Sequence, residues 1–385
     1  MTEDPPGPLL LGAGPSPLPD SVRARLCETP PGLMDPAFTA VMDETQVLLR
    51  EAFFTGARAT LPLTGSSGAG MEAALANFVD PGDRVVCGVA GMLGERLAGA
   101  VARAGADVIR VEGPFGRALD PELLVAAMDG GCSMLAIVHG ESSTGVAQPL
   151  DGLGDACREH DALLLVDCAT SLGGQELRVD EAGIDVAFSV SHACLGAPPG
   201  LAPFTAGDRA LRKLERRIRP GHSWYFDLVG LLAQWTDGGR GRTYHHVPPV
   251  GLILALHEAL RLAVREDWLP TRWERHRRAH AALRDALAVL GLERLAPDGE
   301  ELRPALAVAV PDTVDEPRIR GRLRAVHGIE ITAGAGARAG RVWVVGVMGE
   351  TAAHAPQERL VAALASELGE DPADALAALA EGWQA

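Results

Sequence analysis

The chain has 385 residues, of which 47% are hydrophobic and 22% charged, and its formal net charge is −16. This composition is that of a folded protein long enough for two domains, and it excludes an intrinsically disordered chain. A nucleic-acid partner is not expected, because it requires clustered positive charge. One basic run, Arg209–Arg219, is interpreted as a solvated helix face.

The sequence lacks the usual signals for a membrane or for export. No apolar run reaches the roughly 18 residues of a spanning helix, and the first residues lack a basic stretch followed by an apolar one. The six cysteines are scattered without a Cys-x-x-Cys pair, which favours reduced thiols and disfavours a zinc site. We therefore expect a cytoplasmic protein with no membrane partner and no bound metal.

The predicted elements begin with an extended arm at 9–17, where glycine and proline disfavour helix, and a helix over Phe38–Phe54. Between 64 and 205, short apolar runs alternate with helical stretches such as 121–128 and 153–160. The runs are 85–87, 108–111, 134–138, 163–166 and 186–190. Because consecutive apolar positions are typical of strands buried on both faces, the pattern predicts a doubly wound, mostly parallel α/β domain with its ligand at the carboxyl ends of the strands.

A long helix over Leu252–Arg278 is predicted to lead into a second, smaller α+β domain. The elements expected there are helices 281–291, 318–325 and 356–367, strands 305–310 and 342–347, and a loop at Gly334–Gly340. We therefore divide the chain into an N-terminal arm (1–20), a large domain (21–265) and a small domain (266–385).

Two local patterns suggest ligand contacts, one with an anion and one with a positively charged group. The turn that contains Ser66, Ser67 and Gly68 opens a helix, and its amides, hydroxyls and small residues suit a phosphate, although a simple capped turn has the same appearance. Asp167 ends the apolar strand 163–166, where a carboxylate is costly unless it meets a positive partner. A protonated ring nitrogen would be such a partner, and a helix cap is the alternative.

Further strings carry a resemblance to a known family. They are His139-Gly-Glu-Ser-Ser-Thr-Gly145, Ser191-His-Ala-Cys-Leu-Gly-Ala-Pro-Pro-Gly200, Ser223-Trp-Tyr-Phe-Asp227 and Thr243-Tyr-His-His246. In order and spacing, over essentially the whole chain, they resemble the class V aminotransferases, which are fold-type I enzymes that use pyridoxal 5'-phosphate (PLP). The resemblance implies the same fold and the same cofactor here.

The resemblance also implies roles for individual residues. Ser66, Ser67 and Gly68 would hold the cofactor phosphate, Ser142 would lie near the ring oxygen, Asp167 would face the ring nitrogen and Ala169 one face of the ring, with His192 close by. Tyr244 would reach the phosphate in the neighbouring subunit, so the family pattern implies a homodimer with shared sites.

The departures from the family pattern fall on catalytic and substrate-binding positions. The lysine that carries PLP as a Schiff base and then moves protons corresponds to Ala193, and the only lysine in the chain is Lys213. The other departures are His192 for a glutamine, Leu93 for the aromatic that stacks on the ring, Val247 for a phosphate-binding threonine, and Val344 for the arginine that grips the substrate carboxylate.

Ala193 cannot attach the cofactor or act as a base, so a normal catalytic cycle is not expected. Because the flanking residues keep the family pattern, we predict that alanine was introduced there in place of lysine, which would stall the enzyme with cofactor and substrate bound. Natural loss of the lysine, with His192 as the remaining base, is the alternative.

The absence of the carboxylate grip at Val344 leads to an expectation about the reaction, since a bidentate arginine–carboxylate pair is among the stronger contacts. We expect decarboxylation or β-elimination on the amino-acid part of a larger, natural-product-like substrate of secondary metabolism, bound near Val344, Leu93 and Arg341. One alternative is an amino acid:2-oxo acid transaminase of the alanine/serine–glyoxylate/pyruvate type, with Arg338 or Arg341 as a substitute grip. The other is an inactive PLP-fold binding protein.

Overall fold

The computed structural model describes residues 7–217, 221–237, 239, 241–266, 268–334 and 338–384. Its strands are β1 (Leu9–Leu10), β2 (Ala59–Thr64), β3 (Arg84–Val89), β4 (Asp107–Glu112), β5 (Met134–Val138), β6 (Gly140–Glu141), β7 (Val146–Ala147), β8 (Leu163–Asp167), β9 (Val186–Phe188), β10 (Leu201–Ala206), β11 (Ala305–Ala309), β12 (Ile329–Glu330), β13 (Thr332–Ala333) and β14 (Val342–Gly346). Its helices are α1 (Asp20–Leu26), α2 (Pro36–Phe53), α3 (Ser67–Phe78), α4 (Met92–Arg103), α5 (Pro121–Ala126), α6 (Leu153–Glu159), α7 (Asp208–Glu215), α8 (Leu228–Trp235), α9 (Val250–Arg261), α10 (Leu269–Val289), α11 (Glu316–His327), α12 (His354–Leu368) and α13 (Ala373–Gln384).

A seven-stranded sheet in the order β2-β10-β9-β8-β5-β3-β4 forms the centre of the larger part of the molecule. The pairs among β9, β8, β5, β3 and β4 are parallel, and β10 runs antiparallel to both of its neighbours. Strands β5 and β8 are buried along their whole length, as their continuous apolar sequences predict. The predicted mostly parallel, doubly wound α/β fold is confirmed.

The five predicted apolar runs became strands β3, β4, β5, β8 and β9, whereas β2 and β10 were not predicted. Each of these two strands contains a proline, which in a sequence argues against a central strand. Pro62 and Pro203 are partners in the β2–β10 register.

The single helix predicted over 252–278 is wrong. Helix α9 ends at Arg261, a π-helical turn covers Leu262–Glu266, and α10 begins at Leu269. Pro270 lies in the first turn of α10, where its missing N–H is tolerated, whereas inside a longer helix it would clash with the preceding turn. The helix predicted over 281–291 is the last part of α10.

A smaller three-stranded antiparallel sheet, β11-β14-β13, presents two different faces. Trp343 and Val345 of β14 enter a core formed with α10 to α13, while Val342 and Val344 enter a second apolar cluster on the side of the large sheet. This is the alternation expected of a strand, and it places Val344 toward the residues that follow β8.

The N-terminal arm is extended, and β1 within it pairs in parallel with β12. Of the loop predicted at Gly334–Gly340, residues 335–337 lie outside the described part, as do the last residues of the basic run 209–219. All six cysteines are free thiols. No helix among the described residues is both long and apolar enough to cross a bilayer.

Candidate active site

Asp167 lies at the carboxyl end of β8, in the middle of the parallel sheet, with its side chain almost completely buried. Its Oδ1 accepts a hydrogen bond from the Ala169 N–H at 2.9 Å, and Arg96 Nη2 lies 3.9 Å from Oδ2. Burial raises the pKa of Asp167 to about 6, against the lowering effects of the Ala169 N–H and of Arg96. A buried carboxylate with only these contacts is suited to a further positive partner, and a protonated pyridine nitrogen meets that need.

The turn before α3 is shaped for an anion. Gly65 has a φ of +129°, and a Cβ at this position would lie 2.5 Å from that of Ala69. Ser66 precedes the helix without capping it through its side chain, while Ser67 Oγ accepts a hydrogen bond from Arg96 Nη2 at 3.3 Å. The free amides of a helix N-terminus, two hydroxyls and a guanidinium together form a suitable phosphate site.

Glu141 fixes the loop over 139–145 to the start of α4. Its Oε2 accepts hydrogen bonds from the N–H groups of Leu93 at 2.9 Å and Gly94 at 3.1 Å, and its Oε1 accepts one from Ser143 Oγ at 2.6 Å. Burial raises the pKa of Glu141, while these donors lower it. The neighbouring Ser142 hydroxyl makes no hydrogen bond within the described part of the chain and is therefore free for a ligand.

Ala193 is buried in a segment that is held in place through its backbone. Its carbonyl oxygen accepts a hydrogen bond from Ser16 Oγ at 2.8 Å, and the next carbonyl, of Cys194, accepts one from Arg272. At the end of the segment, the Gly200 carbonyl accepts a hydrogen bond from the Gly65 N–H at 2.8 Å. This hydrogen bond joins the segment to the turn before α3, which is suited to a phosphate.

Ala193 and Val344 belong to one buried apolar cluster. Its members are Ala147, Ala169, Val190, Ala193, Cys194, Leu302, Ala305, Ala307, Val342, Val344 and Met348. The positions that resemble the family's lysine and carboxylate-binding arginine therefore line the same space, and in this chain both are small and apolar.

His192 points toward the N-terminal arm. A Cβ on Gly14 would lie 3.5 Å from His192 Cδ2, which places the imidazole ring against the arm. Its Nδ1 is buried without a hydrogen-bond partner among the described residues. Burial lowers the pKa of His192, so the ring is neutral at pH 7.

The structure does not bring Tyr244, Arg341 or Arg338 to Asp167 in the same chain. Tyr244 is 61% exposed. Arg341 is exposed just before β14, and the alternation of that strand directs it away from the face of Val344. The Arg338 guanidinium stacks over the ring of Phe115 at 4.1 Å.

Lys213 is on α7, and its Nζ lies 3.1 Å from Asp83 Oδ2. Asp83 precedes β3, at the amino end of the parallel strands, whereas Asp167 ends β8. The only lysine of the chain is thus at the opposite edge of the sheet and cannot replace a lysine at position 193.

Arg96 and Glu141 are site residues that the sequence reasoning did not single out. A signal existed for both: Glu141 is inside the string over 139–145, and Arg96 follows Leu93 by three residues, which places them on one face of α4.

Comparisons with known proteins agree with this geometry. The family model for class V aminotransferases matches residues 34–346. The (S)-ureidoglycine–glyoxylate transaminase of Bacillus subtilis is 38% identical over 84% of this chain and 82% of its own length. The alanine–glyoxylate aminotransferase of Oryctolagus cuniculus is 38% identical over 94% of this chain and 92% of its own. The crystal structure of the alanine–glyoxylate aminotransferase from Nostoc sp. superposes with a TM-score of 0.92, at 41% identity over 96% of this chain and 97% of that one.

The chain belongs to the class V aminotransferase family. It has the fold-type I architecture, and its cofactor is pyridoxal 5'-phosphate. The buried carboxylate of Asp167, the helix N-terminal turn at Ser66 and Ser67, and the free hydroxyl of Ser142 fit this group in charge and in hydrogen bonding.

The expected decarboxylation or β-elimination on a larger substrate is wrong. The three relatives named above are glyoxylate transaminases, and they support amino transfer instead. The expectation rested on Val344 in place of the carboxylate-binding arginine, and the loss of that one contact does not indicate a different reaction.

Proposed function

We propose that this protein is a transaminase-type enzyme that exchanges an amino group between a small amino acid and a 2-oxo acid, with glyoxylate as the acceptor. The observation that carries the proposal is Asp167, a buried carboxylate at the carboxyl end of β8 with a raised pKa, in a chain whose relatives act on glyoxylate.

In this proposal, Asp167 keeps a proton on the ring nitrogen of the cofactor, while Ser66, Ser67 and Arg96 neutralise the phosphate. When bound, the cofactor supplies an electron-withdrawing ring that stabilises negative charge at the substrate α-carbon. Ser142 orients the ring through its free hydroxyl, and Glu141 holds that loop in place.

The small apolar walls support a small substrate. Ala169, Ala193, Ala305 and Ala307 share a buried apolar cluster with Val344, and none of them has a long or charged side chain. Glyoxylate and alanine have little or no side chain, so they fit such a space, while their carboxylate must be bound more weakly than by the bidentate arginine contact of the family.

In this proposal, the absence of an amine at position 193 limits the rate of turnover. It has no amine to hold the cofactor covalently and none to move a proton at the substrate α-carbon, and the neutral ring of His192 is directed at the arm near Gly14. We propose that the chain with Ala193 binds cofactor and substrate but turns over little, and that substitution of a native lysine accounts for the alanine.

Ala193→Lys tests the proposal. We expect it to produce alanine-dependent glyoxylate consumption at least 100-fold faster than the parent protein, because a positioned acid or base contributes about 10² to 10⁴ in rate. Ala193→Met is the matched control, since it has similar bulk and no amine. Equal rates for the lysine and methionine variants, or production of CO₂ instead of pyruvate and glycine, would sink the proposal.

We also propose a homodimer in the cytoplasm and the division of the chain at residues 20 and 265. The stretch over 223–247 supports the dimer, because Trp224 is 67% and Tyr244 61% exposed, a costly arrangement for large aromatics in an isolated chain. The free thiols support a reducing compartment.

A further inference from the structure

A second cavity lies at the amino-terminal edge of the large sheet, opposite Asp167. Its volume is about 1260 Å³, and it is bounded by the starts of β3 and β8, by the turn at Gly130–Gly131 and by α7. The proposed transaminase function does not use it. It contains the described part of the basic run that begins at Arg209.

Two of its arginines are fixed by backbone carbonyls. Arg84 donates hydrogen bonds to the carbonyls of Gly130 and Gly131, the latter at 2.8 Å, and a Cβ at Gly130 would lie 3.1 Å from Arg84 Nη1. Arg217, with a side chain only 9% exposed, donates to the carbonyls of Ala76 and Val79 and pairs with Asp80. These guanidinium groups therefore have a set position before any ligand arrives.

The cavity holds more positive than negative charge. Arg217 pairs with Asp80, Lys213 with Asp83 and Arg209 with Asp185. In the described part of the chain, three further arginines that line the cavity form no ion pair; these are Arg84, Arg212 and Arg216. One carboxylate that lines it, Asp161, has no cationic partner among the described residues. In a chain with a net charge of −16, such a local excess is the reverse of the surrounding field.

Helix geometry accounts for only part of this excess. Basic residues in the last turn of a helix offset its dipole, which explains Arg212 and Lys213 on α7. Arg216 is the C-cap of α7 and is explained in the same way, whereas Arg84 is on a strand, where no helix dipole explains its charge.

We infer that this cavity binds a small polyphosphorylated molecule, with Arg84 as a fixed contact and the exposed Arg212 and Arg216 as further contacts. Arginine matches the geometry of phosphate oxygens through its paired N–H groups, and the volume suits a ligand of nucleotide size. The acidic remainder of the molecule would repel a long nucleic acid but not a compact anion inside the cavity.

The experiment is a calorimetric titration of the PLP-saturated protein with inorganic tripolyphosphate, and in parallel with ATP and orthophosphate, at 50 and 300 mM NaCl. Saturation with PLP blocks the phosphate turn at Ser66. We expect tripolyphosphate to bind more tightly than orthophosphate and at least fivefold more weakly at the higher salt. If ATP binds more tightly than tripolyphosphate, the ligand is a nucleotide. If the two bind equally, the ligand is an inorganic or another polyphosphate; either result supports the inference.

The variant Arg212→Ala/Arg216→Ala should weaken tripolyphosphate binding at least tenfold, while PLP binding stays as in the parent. Both side chains are exposed, and neither forms an ion pair with another described residue, so the variant is expected to fold. Arg318→Ala/Arg359→Ala, which removes two exposed arginines elsewhere, is the control and should bind as the parent does. No binding at millimolar tripolyphosphate, equal loss in both variants, or tighter binding of a 20-base-pair DNA would overturn the inference.

Discussion

In the proposed function Asp167 pairs with the ring nitrogen of the cofactor, and its raised pKa predicts how stability changes with pH. The folded, cofactor-free protein keeps the carboxyl protonated up to a pKa of about 6, whereas the ordinary value is 3.8. Since the folded state binds more protons in that interval, the contribution of this group to stability is full below pH 3.8 and is lost as the pH rises through 6.

We therefore expect the Tm of the parent protein relative to that of Asp167→Asn, both without PLP, to fall as the pH goes from 4 to 7. Added PLP at pH 7 should raise the Tm of the parent by more than that of the variant, because only the ionised aspartate pairs with the ring nitrogen. Thermal unfolding at five pH values, with and without PLP, provides the comparison. A difference in Tm that is constant with pH would contradict this account of the buried carboxyl.

A second residue-scale prediction concerns Val344. Val344→Arg places an unpaired charge in a buried apolar cluster and should lower the free energy of unfolding by about 3 kcal/mol. If this face lines the substrate space, glyoxylate or oxalate should restore part of the loss, and in the Ala193→Lys background the KM for glyoxylate should fall. Val345→Arg is the control, because its side chain enters the opposite core and no carboxylate should rescue it. A Val344→Arg protein that ignores both anions would place position 344 outside the substrate space.

At the scale of elements, Glu141 joins the β6–β7 ribbon to α4. Glu141→Gln keeps the shape of the side chain but removes the negative charge of the carboxylate, which accepts hydrogen bonds from the N–H groups of Leu93 and Gly94. We expect a loss of about 2 kcal/mol in the free energy of unfolding, measured in urea, because hydrogen bonds to charged groups contribute about 1.5 to 3 kcal/mol. Ser143→Ala, which removes one donor from the same carboxylate, should cost less. Glu141→Gln should also lower the pKa of Asp167, because the charge of Glu141 raises it. A Tm that depends on pH in the same way in Glu141→Gln and in the parent would argue against that coupling.

The elements that could be predicted are those that consist of an uninterrupted run of apolar residues, which indicates burial on both faces. Strand β5 is apolar at every position and β8 at every position before Asp167, and the motifs at their ends indicated where Asp167 and Ser142 would lie. Strand pairs interrupted by proline, such as β2 and β10, could not be recognised, because their pairing is a long-range property. The break between α9 and α10 was missed for a similar reason: apolar periodicity continues across it, while Pro270 forces a new start. The spacing of Arg96 and Leu93 places both on one face of α4, but the proximity of Arg96 to Asp167 depends on how α4 packs and could not be predicted.

At the scale of the whole molecule, the proposed dimer predicts a mass of twice 40.3 kDa in sedimentation velocity at micromolar concentration. Trp224→Asp should shift the population toward the monomer, because it places a charge in the exposed aromatic stretch where Trp224 stacks on His245 at 4.4 Å. Leu123→Asp, at a residue on α5 that is also largely exposed, should leave the mass unchanged. A parent protein that sediments as a monomer would remove the basis for shared sites.

The placement of Lys213 has a practical consequence for protein chemistry. Besides the N-terminus, the molecule has a single primary amine, and that amine lies beside Asp83 at the edge of the sheet remote from Asp167. An amine-reactive dye or cross-linker would therefore label one internal site in each chain, in addition to the N-terminus, without mutagenesis.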